Sequence, residues 1–153
     1  MLDAPRRDGR QAVKPFLQVV PANDVVVIGG HLSAGGDVQR EFTIFAYQSP
    51  GLYFCDLNDD ETTTARTLDF ASTSNGMNYN YGTTANLTAP LGNGDVTLTF
   101  AKAGGAITCT TTIPASAQCV NDLVPGGLAP TELGFAVFGL ALQVDYVVRI
   151  RTN

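Results

Sequence analysis

The densest run of groups able to do chemistry is Asp56-Leu57-Asn58-Asp59-Asp60-Glu61. Oxygen ligands at alternating positions are how loops surround calcium, which makes Asp56, Asn58 and Asp60 weak metal candidates. A calcium loop of that kind needs glycine at its sixth position and a bidentate acid at its twelfth, where this chain has Glu61 and Thr67. A solvated acidic turn is the alternative. The second cluster is Asn78-Tyr79-Asn80-Tyr81. Tyr79 and Tyr81 offer flat apolar faces and the asparagines offer paired donors and acceptors, a combination suited to a protein contact or to a glycan. The absence of tryptophan weakens the glycan reading.

Catalysis finds little to use. His31 is the only histidine, and it follows Gly29-Gly30 in what reads as a turn. No nucleophile elbow, phosphate-cradling glycine loop or metalloprotease helix motif accompanies it. The expectation is a chain that is not an enzyme and takes no cofactor. The three cysteines match no zinc pattern and, with no leader expected before them, read first as reduced, buried thiols. Cys109 and Cys119 flank a turn, so a disulfide between neighbouring strands is a second expectation for them.

Charge is sparse, at 15% of residues, and uneven. Arg6, Arg7, Arg10 and Lys14 give the first fourteen positions +2, against −7 for the rest. An acidic body argues against nucleic acid as a partner, because phosphate must be met by a basic face. No run reaches the ~18–20 apolar residues of a membrane-spanning helix. The arm itself is suited to an acidic protein surface.

These groups must be positioned by strands. Beyond the arm, short alternating or apolar runs are separated by Gly, Pro and Asn, without a sustained helical period. Val25 to Ile28, Val38 to Tyr47, Leu52 to Cys55, Ala106 to Ile113 and Val144 to Arg151 all read as strands. Asn93-Gly94 is the strongest local turn signal and predicts a hairpin between Thr84–Leu91 and Asp95–Phe100. Ser33 to Asp37 predicts another, and Ser72 to Gly82 reads as a polar loop. Leu133 to Leu142 is apolar on both faces, which suits a central strand, a short helix or an intersubunit seam, with Phe135 and Phe138 on opposite sides. The expected fold is all-β, an antiparallel sandwich or barrel of jelly-roll or immunoglobulin-like type: an extended basic arm over residues 1–15 and one domain over 16–153.

An arm, a polar but uncharged surface and missing chemistry together suggest an assembly component. In general character the chain looks like the accessory proteins on tailed-phage capsids. That likeness implies a capsid-decoration role at a virion surface, after synthesis in the cytoplasm. Its partners would be a protein shell or like subunits, with a homo-oligomer, favoured as a trimer, formed through Arg6, Arg7, Arg10, Lys14, Tyr79, Tyr81 and Phe138. The alternative is a carbohydrate- or receptor-binding sandwich of a fibre or adhesin, with a glycan as partner.

Overall fold

The computed structural model describes residues 10–12, 17–18, 23–113, 116–126 and 129–151. These form β1 (Arg10–Ala12), β2 (Leu17–Gln18), β3 (Asn23–Ala34), β4 (Gln39–Gln48), β5 (Gly51–Asp60), β6 (Ala65–Thr73), β7 (Asn80–Asn86), β8 (Gly94–Ala103), β9 (Ala106–Ile113), β10 (Ser116–Leu123), β11 (Glu132–Phe138) and β12 (Leu140–Arg151). They build an antiparallel sandwich of jelly-roll type. One sheet has the order β1-β11-β4-β5-β6-β7, with β2 also on β11; the other is β10-β9-β8-β3-β12.

Period-two burial decides which residues face the core. Phe42, Ile44 and Ala46 of β4 and Tyr53, Cys55 and Leu57 of β5 point inward from the first sheet. Val96, Leu98 and Phe100 of β8 point inward from the second. The Tyr53 ring stacks on Phe100 at 5.8 Å between centroids, joining the two layers by dispersion and apolar burial. A disulfide between Cys55 and Cys109 fastens β5 to β9 through the same core. The expected Cys109–Cys119 bond does not form, although those strands are neighbours. Cys109 stands opposite Val120 and Cys119 opposite Thr110, so the two thiols leave the ladder on opposite faces. Cys119 is free and exposed, which corrects the expectation of buried, reduced thiols.

Two expected hairpins are crossovers between sheets. Asn93-Gly94 joins β7 of the first sheet to β8 of the second, and Ser33 to Asp37 takes β3 to β4 in the opposite direction. A two-residue type I′ turn needs positive φ at both centres, and only Gly94 has it. The Asn93 side chain instead accepts the Ala34 amide at 2.8 Å, while Leu87 and Leu91 plug the end of the sandwich. The apolar residues of this stretch thus anchor a crossing segment.

The same end carries a buried ionic knot. Asp59 accepts Arg66 Nε and the Leu91 amide, each at 2.9 Å, and lies 3.5 Å from Arg40, which also reaches Glu61 at 2.7 Å. One carboxylate therefore ties three strands to the crossover.

Leu133–Leu142 is neither one strand nor a helix. It turns a corner at Gly139, where β11 leaves the first sheet and β12 enters the second. Gly139 has φ of +64°, and a Cβ there would be driven into the Gln39 carbonyl. Gly139→Ala should therefore lower stability by about 1–3 kcal/mol more than Gly104→Ala. Gly104 shares the positive φ but has open space around it. Denaturant midpoints of the two variants check this.

The last strand does not keep one set of side chains inward along its length. Its ladder with β3 shifts between Val144 and Tyr146, leaving Asp145 as a bulge. Beyond the bulge the alternation inverts. Arg149 turns inward to buried Asp24, at 3.1 Å from Nε, while Tyr146, Val148 and Ile150 face out and are exposed. His31 is likewise not in a turn but within β3, opposite Gln143. Gly29 and Gly30 before it are strand residues that let β12 approach, for a Cβ at Gly29 would strike the Tyr146 ring.

Candidate functional site

The outward side of the first sheet is built in rows set by strand register. Opposite one another across β4, β5, β6 and β7 lie Thr43, Asp56, Asp69 and Thr84. On one side of this row run Glu41, Asn58, Thr67 and Asn86, continued on β11 by Phe138. On the other run Phe45, Phe54, Ala71 and Tyr81.

The central row places two carboxylates directly opposite each other, both under a tenth exposed, Asp56 at 9% and Asp69 at 7%. Like charges in that position destabilise a sheet. Each is held by a threonine hydroxyl of the same face: Thr43 Oγ1 donates to Asp56 at 2.5 Å and Thr67 Oγ1 to Asp69 at 2.6 Å. The result is a floor of oriented acceptors.

Aromatic rings stand at one end of that floor. Tyr79 meets Phe54 edge-on at 5.8 Å, and Tyr81 is 71% exposed. Burial of part of its ring raises the Tyr81 hydroxyl pKa, and the negative field of Asp56, Asp69 and Glu41 raises it further. The loop before Tyr79 is held by its own side chains. Asn75 Oδ1 accepts the Met77 and Asn78 amides at 2.9 and 3.0 Å, and Thr73 Oγ1 accepts the Gly76 amide at 3.0 Å. Such a loop loses little freedom when a ligand reaches Tyr79.

The structure thus brings Tyr79, Tyr81, Phe138, Asp56 and Asn58 onto one face. Asp60 lies at the end of β5, turned to Thr62. Arg10 begins β1, where its backbone is opposite Phe138 of β11. Arg6, Arg7 and Lys14 lie outside the described residues. Asp56, Asn58 and Asp60 follow a straight strand about 7 Å apart, where a calcium loop would curl them around one point. Among the described residues, no group of three His, Cys, Asp or Glu side chains is arranged to hold a metal ion.

Sequence reasoning missed Thr43, Phe45, Phe54 and Asp69. The signal for the first two was present, since assigning Phe42, Ile44 and Ala46 to the core leaves Thr43 and Phe45 outside.

Asp60 itself is a surface cap. The Thr62 hydroxyl, at 2.6 Å, and the Thr62 amide, at 2.9 Å, hold its pKa at about 2, below the ordinary 3.8. A depressed carboxyl favours the fold above the unfolded value and loses that contribution as pH falls from 3.8 toward about 2. Thr62→Val should move the Asp60 titration upward in carboxyl-carbon NMR. An unmoved titration would remove the hydroxyl as the cause.

The second sheet has a very different exterior. Across its five strands, one row is Val148, Val27, Thr99, Thr110 and Cys119, and the next is Ile150, Val25, Ala101, Thr108 and Asn121. His31 and Asp95, joined at 3.0 Å, mark one end of this face.

No protein family profile and no curated protein sequence matches the chain. Solved structures do match in fold. Sheep galectin-11 in complex with glycerol is 11% identical, covering 98% of this chain and 100% of its own, with a TM-score of 0.64. Congerin II liganded with lactose and MES is 10% identical over 92% of this chain and 99% of its own, with a TM-score of 0.66. The CBM2 module of the evolved Dit of Lactobacillus casei BL23 phage J-1 is 14% identical over 94% of this chain and 69% of its own, with a TM-score of 0.57. At these identities the likeness is one of fold: the chain is a β-sandwich of the galectin-like jelly-roll type.

Proposed function

We propose that this chain is a non-catalytic carbohydrate-binding domain whose site is the outward side of the seven-stranded sheet. The observation that carries the reading is the pair of tethered carboxylates, Asp56 and Asp69, beside the exposed aromatic corner of Tyr79 and Tyr81. A sugar ring has an apolar C–H face that lies against an aromatic side chain, and an edge of hydroxyl donors that acceptor-only carboxylates can take in pairs. The acidic field disfavours sialylated or sulfated sugars, so a neutral saccharide fits best. The lactose bound to congerin II supports a sugar on this fold.

Tyr81→Ala should weaken binding to a neutral disaccharide by about tenfold, the equivalent of one aromatic contact. Asp69→Asn should weaken it as well, because an amide presents one acceptor in place of two. Calorimetric titration of glycan-array hits, beside melting curves, separates lost binding from lost fold. Parent protein that binds no neutral glycan would overturn the reading.

The phage J-1 module supports a second reading, in which this domain belongs to a virion component and displays the sugar site at its surface. Native particle mass is its test. Copies seated on a shell favour capsid decoration, and a free homo-oligomer, such as a trimer, counts against it.

A further inference from the structure

We propose that two copies of this chain pair face to face through the outward side of the five-stranded sheet. Between β12 and β10 that side carries valine, isoleucine, alanine, threonine, asparagine and cysteine in register. The two central rows hold no charged side chain; the ionisable groups beside them are the His31–Asp95 pair at one end and the exposed Asp145 at the β12 bulge. The chain is acidic, with a net charge of −5, so two copies repel wherever carboxylates must meet. This face lets them meet without burying an unpaired charge. Threonine hydroxyls and methyls also desolvate at lower cost than Lys or Glu.

The exposed apolar groups flank this threonine field. Ile150 is 51% exposed on the β12 side and Leu123 is 74% exposed on the β10 side. Five strands at about 4.8 Å spacing and seven residues at about 3.4 Å rise give roughly 500–600 Å² per copy, or about 1,100 Å² for a pair. That clears the roughly 1,000 Å² a specific interface requires.

Side-by-side pairing through the open edge of β12 is the competing geometry, and the strand is built against it. Its Asp145 bulge breaks the ladder, and Arg149 points inward beside the edge. Both devices blunt an edge against strand addition. The occupant best suited to the sheet is therefore a second copy laid over its face.

Sedimentation of the intact chain from about 1 µM to about 100 µM tests the proposal. The parent is expected to dimerise. Thr99→Lys, at the middle strand, and Thr110→Lys, beside it, should each weaken dimerisation by about 100-fold, with melting temperatures retained. Val38→Lys, on the exposed β3–β4 connection, should leave it unchanged. Alkylation of Cys119 should slow over the concentration range in which the dimer forms, while the outer-edge amides of β12 exchange at an unchanged rate. A monomeric parent would overturn the proposal and leave the face to a different protein partner. So would a dimer that survives both lysines, or one that protects the β12 edge. Sugar binding is read separately on the opposite sheet, so failure here leaves the carbohydrate reading standing, and the reverse.

Discussion

Asp59→Ala is expected to destabilise the protein by about 3–5 kcal/mol, because it removes one member of a buried ionic network and strands the rest. The carboxylate is fully buried, and its loss leaves Arg40, itself nearly buried, facing the core with Glu61 as its remaining anionic partner among the described residues. The Leu91 amide loses its acceptor in the same step. Leu91 plugs the end of the sandwich, so the crossover should loosen with the strands. Urea unfolding of Asp59→Ala beside Asp60→Ala, a surface substitution on the same strand, measures the difference. A cost within about 0.5 kcal/mol of that surface variant would mean that the network holds nothing in place.

Reducing the Cys55–Cys109 bond should cost roughly 4 kcal/mol. The bond closes a loop between residues 54 apart in sequence, which removes chain entropy chiefly from the unfolded state. Natural domains are stable by only about 5–15 kcal/mol, so the reduced form should unfold at a much lower denaturant concentration. Cys119→Ala should leave the midpoint of the oxidised protein in place, since that thiol is exposed and takes no part in the bond. Titratable thiols should rise from one to three as the midpoint falls. An unchanged midpoint at three thiols would remove the bond as a source of stability.

The strands were legible because burial alternates with period two, and the chain spells this out at Phe42, Ile44 and Ala46 and at Val96, Leu98 and Phe100. The β9–β10 hairpin was legible too. What alternation cannot carry is which sheet a strand joins. Asn93-Gly94 has the composition of a tight hairpin and yet spans two layers, with Leu87 and Leu91 of the crossing segment buried in the core. The cysteine pairing failed for a related reason. Two strands can be neighbours while a single-residue offset sends their thiols apart, and that offset is written in the register rather than in the spacing. The candidate site was half legible. Tyr79 and Tyr81 stood out by type, whereas Asp56 and Asp69, thirteen residues apart, become partners only when β5 and β6 lie side by side.

The bulge at Asp145 acts as a frame shift in a code of two letters, inside and outside. Upstream of it, Leu140 and Leu142 spell inside; downstream, the same spacing spells outside, and Val148 and Ile150 are worn on the surface. Were Asp145 paired with Gly29 in an unbroken ladder, the end of the strand would turn inside out without a change in any residue. Arg149 would be released into water, Ile150 would be drawn toward the core, and Asp24 would lose its guanidinium. One residue left out of the ladder thus exchanges a solitary surface for a sociable one.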